Sequence, residues 1–183
     1  LSEIVIPSSV TSIGKGAFSF CDSLSEIVIP SSVTSIGDRA FKDCGSLSTI
    51  VIPNSVTSIG DSAFSFCSSL KYISIPKSVI CLNGNPFAEW NGKLECLSPN
   101  YIYEDDILFN KDKSRIISFR NQNIESYVIP SSVTSIGDRA FWNCRSLSEI
   151  VIPSSVTSIG ECAFVLCRSL SEIVIPSSVT SIG

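Results

Sequence analysis

The stretch IVIPSSVTSIG, residues 4–14, decides the fold because the chain repeats it. The same eleven residues return at 27–37, 150–160 and 173–183, and two near copies, IVIPNSVTSIG and YVIPSSVTSIG, stand at 50–60 and 127–137. Within each group of three copies the spacing is 23 residues, as from Pro7 to Pro30. A fixed period of about 20 to 50 residues is typical of solenoids and propellers.

The apolar positions within one unit fit neither one long helix nor one long strand, so each unit must change direction several times around an interior. Residues 3–6, EIVI, alternate and are rich in β-branched side chains, which predicts a short strand with Ile4 and Ile6 inward. Pro7 lacks an amide donor and ends this strand. The next segment, VTSI at residues 10–13, predicts a second short extended piece.

The second half of each unit predicts a turn and a helical segment. Gly14 follows the second extended piece as a residue that adopts positive φ at little cost. An Asp often comes next, as in GDRAF at Asp38 and Asp138, where it would cap a helical turn that carries an Ala–Phe pair inward. Burial of about eight apolar side chains, at roughly 1.5 to 3 kcal/mol each, cannot offset the ordering of 23 residues. The coils are therefore stable only as a stack, with Phe18, Phe41 and Phe64 in one column.

The unit as a whole resembles a known family. Its pattern, LxxIxIPxxVTxIGxxAFxxC, is complete in LSEIVIPSSVTSIGDRAFKDC at Leu24–Cys44 and is similar to the BspA-like, or Treponema-type, leucine-rich repeats. The resemblance implies a leucine-rich repeat solenoid of 23-residue coils, with a parallel β-sheet on the concave face and short strands and helical turns on the other side. It also implies a protein that is secreted or displayed on a cell surface and that serves adhesion or host contact.

The repeats are interrupted near the middle of the chain. We divide the sequence into repeats at 1–93, four units of which the last is degenerate, an irregular insert at 94–123, and repeats at 124–183, of which the last is truncated. Trp90 stands where the pattern has Cys. Within the insert, ILFNKDKSRIISF at residues 107–119 has two apolar stretches around a polar turn and predicts a β-hairpin.

The residues needed for common catalytic chemistry are missing. The chain has no histidine, which excludes Ser-His and Cys-His nucleophilic systems and ordinary catalytic zinc, and it has no phosphate-binding glycine loop. Five of the eight cysteines share one repeat position, where side chains point the same way and have poor disulfide geometry; they are Cys21, Cys44, Cys67, Cys144 and Cys167. We predict a column of buried thiols and a non-enzymatic protein without catalytic residues, metal or cofactor.

Charge and hydropathy exclude two classes of partner. The net charge is −4 with scattered Lys and Arg, so the basic patch of a nucleic-acid-binding protein is absent. No stretch is long and apolar enough for a membrane span, and no signal peptide is present. The sequence starts without Met and stops within a repeat, so we interpret it as part of a longer protein.

Binding would use the side chains that the repeat leaves outside the core. Strand positions 2, 3 and 5 of each unit point outward and form a stripe of Val beside a stripe of Glu, which can mark an interaction surface, although β-branched residues also suit a sheet for local reasons. The insert adds aromatic residues close to Lys and Arg, which are common at interfaces, although some of these aromatic residues must instead fill the disturbed core. The predicted partner-binding residues are Glu3, Val5, Glu26, Val28, Val51, Tyr72, Trp90, Tyr101, Tyr103, Glu149 and Val151.

Three functional hypotheses follow. The first is a binding or adhesion module of a surface or secreted protein, which recognises a protein or glycan ligand, including a host surface or matrix, through the concave sheet and the insert. The second is a structural spacer or stalk, in which uniform repeats only extend the molecule. The third is an intracellular scaffold for protein interactions. Further partners would be flanking repeats of the parent chain or other copies bound end to end.

Overall fold

The computed structural model describes residues 3–183, with side chains described from Ile4 onward. The chain divides into two compact units, one ending at Asn100 and the other beginning at Tyr101. The insert predicted at residues 94–123 therefore contributes to both units. Each unit is a stack of coils built from short strands and turns.

The first unit contains two sets of parallel strands. Its strands are β1 (Glu3–Val5), β2 (Ser12–Ile13), β3 (Glu26–Val28), β4 (Ser35–Ile36), β5 (Thr49–Val51), β6 (Ser58–Ile59), β7 (Tyr72–Ile75), β8 (Cys81–Leu82) and β9 (Lys93–Cys96). The first strands of the coils form the sheet β1-β3-β5 and the pair β7-β9, and the second strands form the sheet β2-β4-β6-β8. The pairing register is one full repeat, for example Ile27 with Ile50, so equivalent residues lie side by side.

The core of the first unit consists of columns of equivalent side chains. Phe18, Phe41, Phe64 and Phe87 stack with ring centroids 5.4, 5.7 and 6.2 Å apart. The inward residues of the inner coils are buried, as the alternation in EIVI and the position of Ile in VTSI predict. In the first coil, Ile4 and Ile6 are only partly buried. The prediction that successive coils stack in register around a shared interior is confirmed.

The second unit begins with an antiparallel meander and continues with parallel strands. Its strands are β10 (Tyr101–Glu104), β11 (Ile107–Asn110), β12 (Arg115–Phe119), β13 (Ser126–Val128), β14 (Ser135–Ile136), β15 (Glu149–Val151), β16 (Ser158–Ile159) and β17 (Ser181–Ile182). They form the sheet β10-β11-β12-β14-β16-β17 and the pair β13-β15. The predicted hairpin is confirmed as β11 and β12, whereas the additional strand β10 was not predicted.

The hairpin extends the stack because β12 replaces the second strand of a coil. Ile116 pairs in parallel with Ile136, and Phe119 stacks on Phe141 with ring centroids 4.7 Å apart. The N–H of Phe119 donates to the carbonyl of Ala140, just as Phe18 donates to Ala40 in the first unit. The insert thus supplies the same columns as a regular coil through a different chain path.

The predicted helical turns are wrong: residues 3–183 contain no helix, and therefore none that could cross a bilayer. Between the second strand and the next coil, successive backbone N–H groups donate alternately to carbonyls within the turn and to carbonyls of the following coil. Ala40 donates to Gly37 within a turn, whereas Arg39 donates to Asp61 and Phe41 to Ala63 in the following coil. Since a helix would use all of these amides internally, bonding between coils replaces it.

Arg39 and Asp43 adopt φ of 56° and 59°, so two left-handed residues, with three ordinary residues between them, occur in the turn. This is why the chain takes a wide turn around the core rather than a helical one. The Asp predicted to cap a helix has another role. The N–H of Asp61 donates to Asp38 Oδ1 at 3.0 Å in the preceding coil, and Glu161 N–H donates to Asp138 Oδ1 at 2.9 Å.

The repeated glycine also has a different role from the one predicted. Of the glycines, only Gly16 and Gly84 have positive φ, so Gly14 and its equivalents are not needed for a left-handed turn. A Cβ on Gly60 would lie 2.3 Å from Asp38 N, within the backbone of the preceding coil. This position requires glycine because two coils approach each other there.

Candidate functional site

The exposed face of the first sheet carries a column of valines. Parallel pairing of β1, β3 and β5 places Val5, Val28 and Val51 next to one another, and their exposed fractions are 82%, 70% and 77%. Their neighbours Ile27 and Ile50 point inward and are buried. We call Val5, Val28 and Val51 the valine column. It is an apolar stripe in solvent, flanked by exposed Glu26.

The predicted side-by-side arrangement of glutamates is confirmed for the backbone, since Glu3 pairs with Glu26. The side chain of Glu3 lies outside the described residues. Thr49 follows Glu26 in the same row, so the acidic stripe of the first unit ends there.

The next coil breaks the pattern of the valine column. Ser74 stands at the valine position and Tyr72 at the glutamate position. The Tyr72 hydroxyl donates to the Glu95 carboxylate, and Ser74 Oγ donates to Glu95 Oε2 at 2.8 Å. These bonds, Tyr72 first, lower the pKa of Glu95, while the same contact raises the pKa of Tyr72. The carboxylate thus stays ionised and holds the Tyr72 side chain in place.

A groove opens beside Tyr72 because β5 and β7 are neighbours that do not form a ladder. Its volume is about 490 Å³. We call it the Tyr72 groove; its lining includes Thr49, Val51, Asn54, Lys71, Tyr72, Ser74, Pro76 and Leu97. Val51 and Leu97 are exposed there, so most of its wall is apolar.

The second unit repeats the exposed face in part. Val128 and Val151 are adjacent through the pairing of β13 with β15, and both are exposed, at 65% and 46%. Glu149 is exposed beside them. A groove of about 530 Å³ follows β15, with Glu149 and Val151 on one side and Glu172 and Val174 on the other. This unit therefore presents both the apolar and the acidic residues that the sequence predicted.

Trp90 does not belong to any surface, contrary to the sequence prediction. It occupies the position of the Cys column, is only 3% exposed, and lies 5.9 Å from the Phe87 ring. Its Nε1–H donates to the Leu70 carbonyl at 2.7 Å. A partner would reach little of this side chain, because the larger indole fills the core where the repeat is degenerate.

Tyr101 and Tyr103 lie on β10, in the second unit, and both are partly exposed. The Tyr103 hydroxyl donates to Asp106 Oδ1 at 3.0 Å. Partial burial, and then this bond to Asp106, raise the pKa of Tyr103. The two tyrosines are two residues apart on one strand and so share a face.

Two exposed aromatic residues were missed by the sequence reasoning. Phe20 and Phe66 are 67% and 41% exposed, and the Lys42 ammonium lies 5.6 Å from the centroid of each ring. Both phenylalanines have positive φ, at a repeat position that Asp43 occupies between them. Their exposure could have been predicted from the sequence, because Asp43, a residue type that favours the left-handed region and the surface, occupies the same repeat position in the coil between them.

Four members of the cysteine column, Cys44, Cys67, Cys144 and Cys167, are buried as predicted, whereas Cys21 is only partly buried. The buried thiols also make hydrogen bonds. Cys44, Cys67 and Cys167 each donate through Sγ to the phenylalanine carbonyl of the preceding coil, at 3.0 to 3.1 Å. Burial raises the pKa of Cys44 to about 11 and that of Cys67 to about 12. Cys144 also has a raised pKa, because of a hydrogen bond with Cys167 and burial. The raised pKa values of Cys44, Cys67 and Cys144 favour the neutral thiol, which packs as a small apolar group.

Comparison with solved structures identifies similar stacks in bacterial proteins. A leucine-rich repeat protein from Eubacterium ventriosum is 33% identical with a TM-score of 0.83, over 100% of this chain and 56% of that one. The pneumococcal vaccine antigen PcpA is 29% identical with a TM-score of 0.73, over 97% of this chain and 51% of that one. The chain thus spans little more than half the length of these two relatives.

A third structure, a leucine rich cell surface protein from Faecalibacterium prausnitzii, is 28% identical with a TM-score of 0.57, over 100% of this chain and 69% of that one. A comparison with curated protein sequences gives no match. The family model of the BspA type leucine rich repeat region matches residues 1–101 and 115–183 in six copies. Together with the stacked coils described above, this match establishes that the chain belongs to the BspA-type leucine-rich repeat family.

Proposed function

We propose that the chain is a non-enzymatic binding module of a longer surface or secreted protein, which recognises a protein ligand through the outward face of its first strands. The observation that carries this proposal is the valine column. Three neighbouring valines, each at least 70% exposed, form an apolar stripe. Their side chains lie in solvent and do not contribute to the packing of the core. Burial of such a stripe by a partner would contribute at about 25 cal/mol per Å² of apolar area.

The surface location is part of the proposal and is supported by similarity. One structural relative is a leucine rich cell surface protein, and another is a vaccine antigen. Solenoids generally bind through extended faces that several coils build together, which suits a ligand larger than a small molecule.

The competing function is a spacer, and one observation favours it. The triplet Ser-Glu-Val recurs unchanged in sequence, around one Ile, at residues 2–5, 25–28, 148–151 and 171–174, and it is exposed in the last three of these copies. A face that only has to be soluble needs no variation, whereas a binding face is expected to vary with the ligand shape. The change at Lys71, Tyr72 and Ser74 argues for binding.

Attachment of the labelled protein to matrix proteins and to cell surfaces tests the proposal. The double variant V5D/V28D places charge in the valine column without touching the core, and we expect attachment to fall at least about tenfold. The control is F20D, which removes an equally exposed apolar side chain from the turns, at a position where Asp43 is native in the next coil. Unchanged attachment by V5D/V28D would favour the spacer.

A further inference from the structure

Within one coil of the first unit, the first strand, β7, departs from the repeat only at its surface. Lys71, Tyr72 and Ser74 replace the residues that precede them by two coils, which are Ser25, Glu26 and Val28. The inward residues of the same strand, Ile73 and Ile75, are fully buried as in other coils. The core therefore gives no reason for the departure, because the repeat residues would fit the same backbone.

The replacement of valine by Ser74 interrupts the apolar stripe with a smaller side chain. Ser74 follows Val51 in the row of valines, and its shorter side chain exposes the wall of the Tyr72 groove. The groove volume of about 490 Å³ falls within the range of ligand pockets. Val51, Leu97 and the Tyr72 ring, all exposed, offer it an apolar lining.

Hydrogen bonds orient one wall of the groove. Glu95, on β9, accepts hydrogen bonds from both the Tyr72 hydroxyl and Ser74 Oγ, so it fixes the ring against the strand. A fixed aromatic wall lowers the entropy lost on binding. Since the protons of both hydroxyl groups are engaged with Glu95, the polar side chains left for a ligand are those of Thr49, Asn54 and Lys71.

Charge changes sign along this face. The row of outward residues runs from Glu26 through Thr49 and Tyr72 to Lys93. Lys71 lines the groove itself. The Glu95 carboxylate keeps its negative charge, but Lys71 and Lys93 together outnumber it, so the net charge that a ligand would meet there is positive. A complementary ligand carries a negative group next to an apolar one.

We propose that the Tyr72 groove receives a large apolar side chain from an exposed segment of a partner protein, with a carboxylate next to that side chain in the segment. The apolar side chain lies against Val51, Leu97 and the Tyr72 ring, and the carboxylate faces Lys71 and Lys93. This inference rests on the proposed function and specifies where the face is selective.

Peptide titration of the ¹⁵N-labelled chain, followed by NMR, tests the proposal. The probes are acetyl-Asp-Phe-Asp-amide, acetyl-Asp-Ala-Asp-amide and acetyl-Lys-Phe-Lys-amide at millimolar concentration. We expect the first to shift amide signals of residues 49–52 and 71–75, and the other two to bind at least about fivefold more weakly. Equal binding of the lysine peptide, or no shift at these residues, would overturn the proposal. Shifts there with maltose but with none of the peptides would also overturn it.

Variants that restore the repeat separate the groove from the face as a whole. Y72E and S74V install residues that are native two coils earlier, so the fold should remain intact, and we expect the peptide shifts to be lost. F20D, on the turns, should leave the titration unchanged. If Y72E/S74V binds the peptide like the wild type, the groove proposal fails. The attachment test with V5D/V28D still decides the proposed function.

Discussion

At the scale of single residues, equivalent side chains stabilise the protein by stacking on each other. Phe64 is fully buried between Phe41 and Phe87, whereas Phe66, two residues later, is 41% exposed. The same residue type therefore has two different roles within three positions. The difference reflects only the direction of each side chain relative to the core.

We expect F64A to lower the free energy of unfolding by about 3 to 5 kcal/mol, because it leaves a cavity between two aromatic rings. F66A, the matched control, should lower it by less than about 1 kcal/mol. Urea denaturation followed by circular dichroism measures both values. Similar losses for the two variants would contradict the columnar core.

The buried thiols predict a dependence of stability on alkaline pH. The pKa of Cys67 is about 12 in the folded chain against an ordinary 9.0, because burial favours the neutral thiol. The folded state thus keeps a proton that the unfolded state releases. The corresponding stability is complete below pH 9.0 and decreases as pH rises toward 12.

The variant C67A isolates this effect from other groups that titrate at high pH. We expect it to be less stable than the wild type at neutral pH, because it leaves a small cavity, and expect the difference to shrink above pH 9.0. Urea denaturation at several pH values measures the difference. A difference that is independent of pH would mean that the Cys67 thiol ionises normally.

At the scale of elements, the turns were the least predictable part of the fold. GDRAF has the local features of a capped helix, and no local feature indicates that the amides of Arg39 and Phe41 bond to the next coil. By contrast, the strands and the hairpin followed from alternation, proline and spacing. Local pattern thus predicted the strands, whereas the turn conformation depended on a neighbouring coil.

The aspartate that follows the repeated glycine in the turns at Asp38, Asp61 and Asp138 should stabilise the contact between coils. Replacement in D38A removes the acceptor of the Asp61 N–H, and we expect a loss of about 1 to 2 kcal/mol in unfolding free energy. D38N keeps an oxygen acceptor and should lose less. Thermal or urea denaturation distinguishes the two variants, and equal losses would show that charge, not the hydrogen bond, matters.

The candidate site was partly predictable. The valines were placed correctly because the strand period assigns outward positions directly. Trp90 was misplaced as a surface residue although its repeat position, shared with buried Cys67, was a sufficient signal. The Tyr72 groove could not be derived from sequence, because it depends on the missing ladder between β5 and β7.

At the scale of the whole molecule, each coil is held by its neighbours, so close approach between coils is essential. We expect G60A to destabilise the protein by about 1 to 3 kcal/mol, because a Cβ would overlap the backbone at Asp38. G14A is the matched control, since its Cβ would meet nothing within 4 Å. Comparable stability of the two variants, measured by urea denaturation, would contradict the proposed role of this glycine.

Because equivalent residues of successive coils pair with each other, a deletion of one whole repeat in the gene would preserve the pairing between the remaining coils. Removal of residues 24–46 would join Ser23 to Leu47 and recreate the Ser–Leu junction found at Ser46–Leu47. The backbone hydrogen-bond donors and acceptors of the next coil are equivalent to those of the removed coil. The two coils on either side of the deletion can therefore pair with each other. Recombination between near-identical segments can thus shorten or lengthen the protein by whole coils, and change its reach, without any new amino acid being selected.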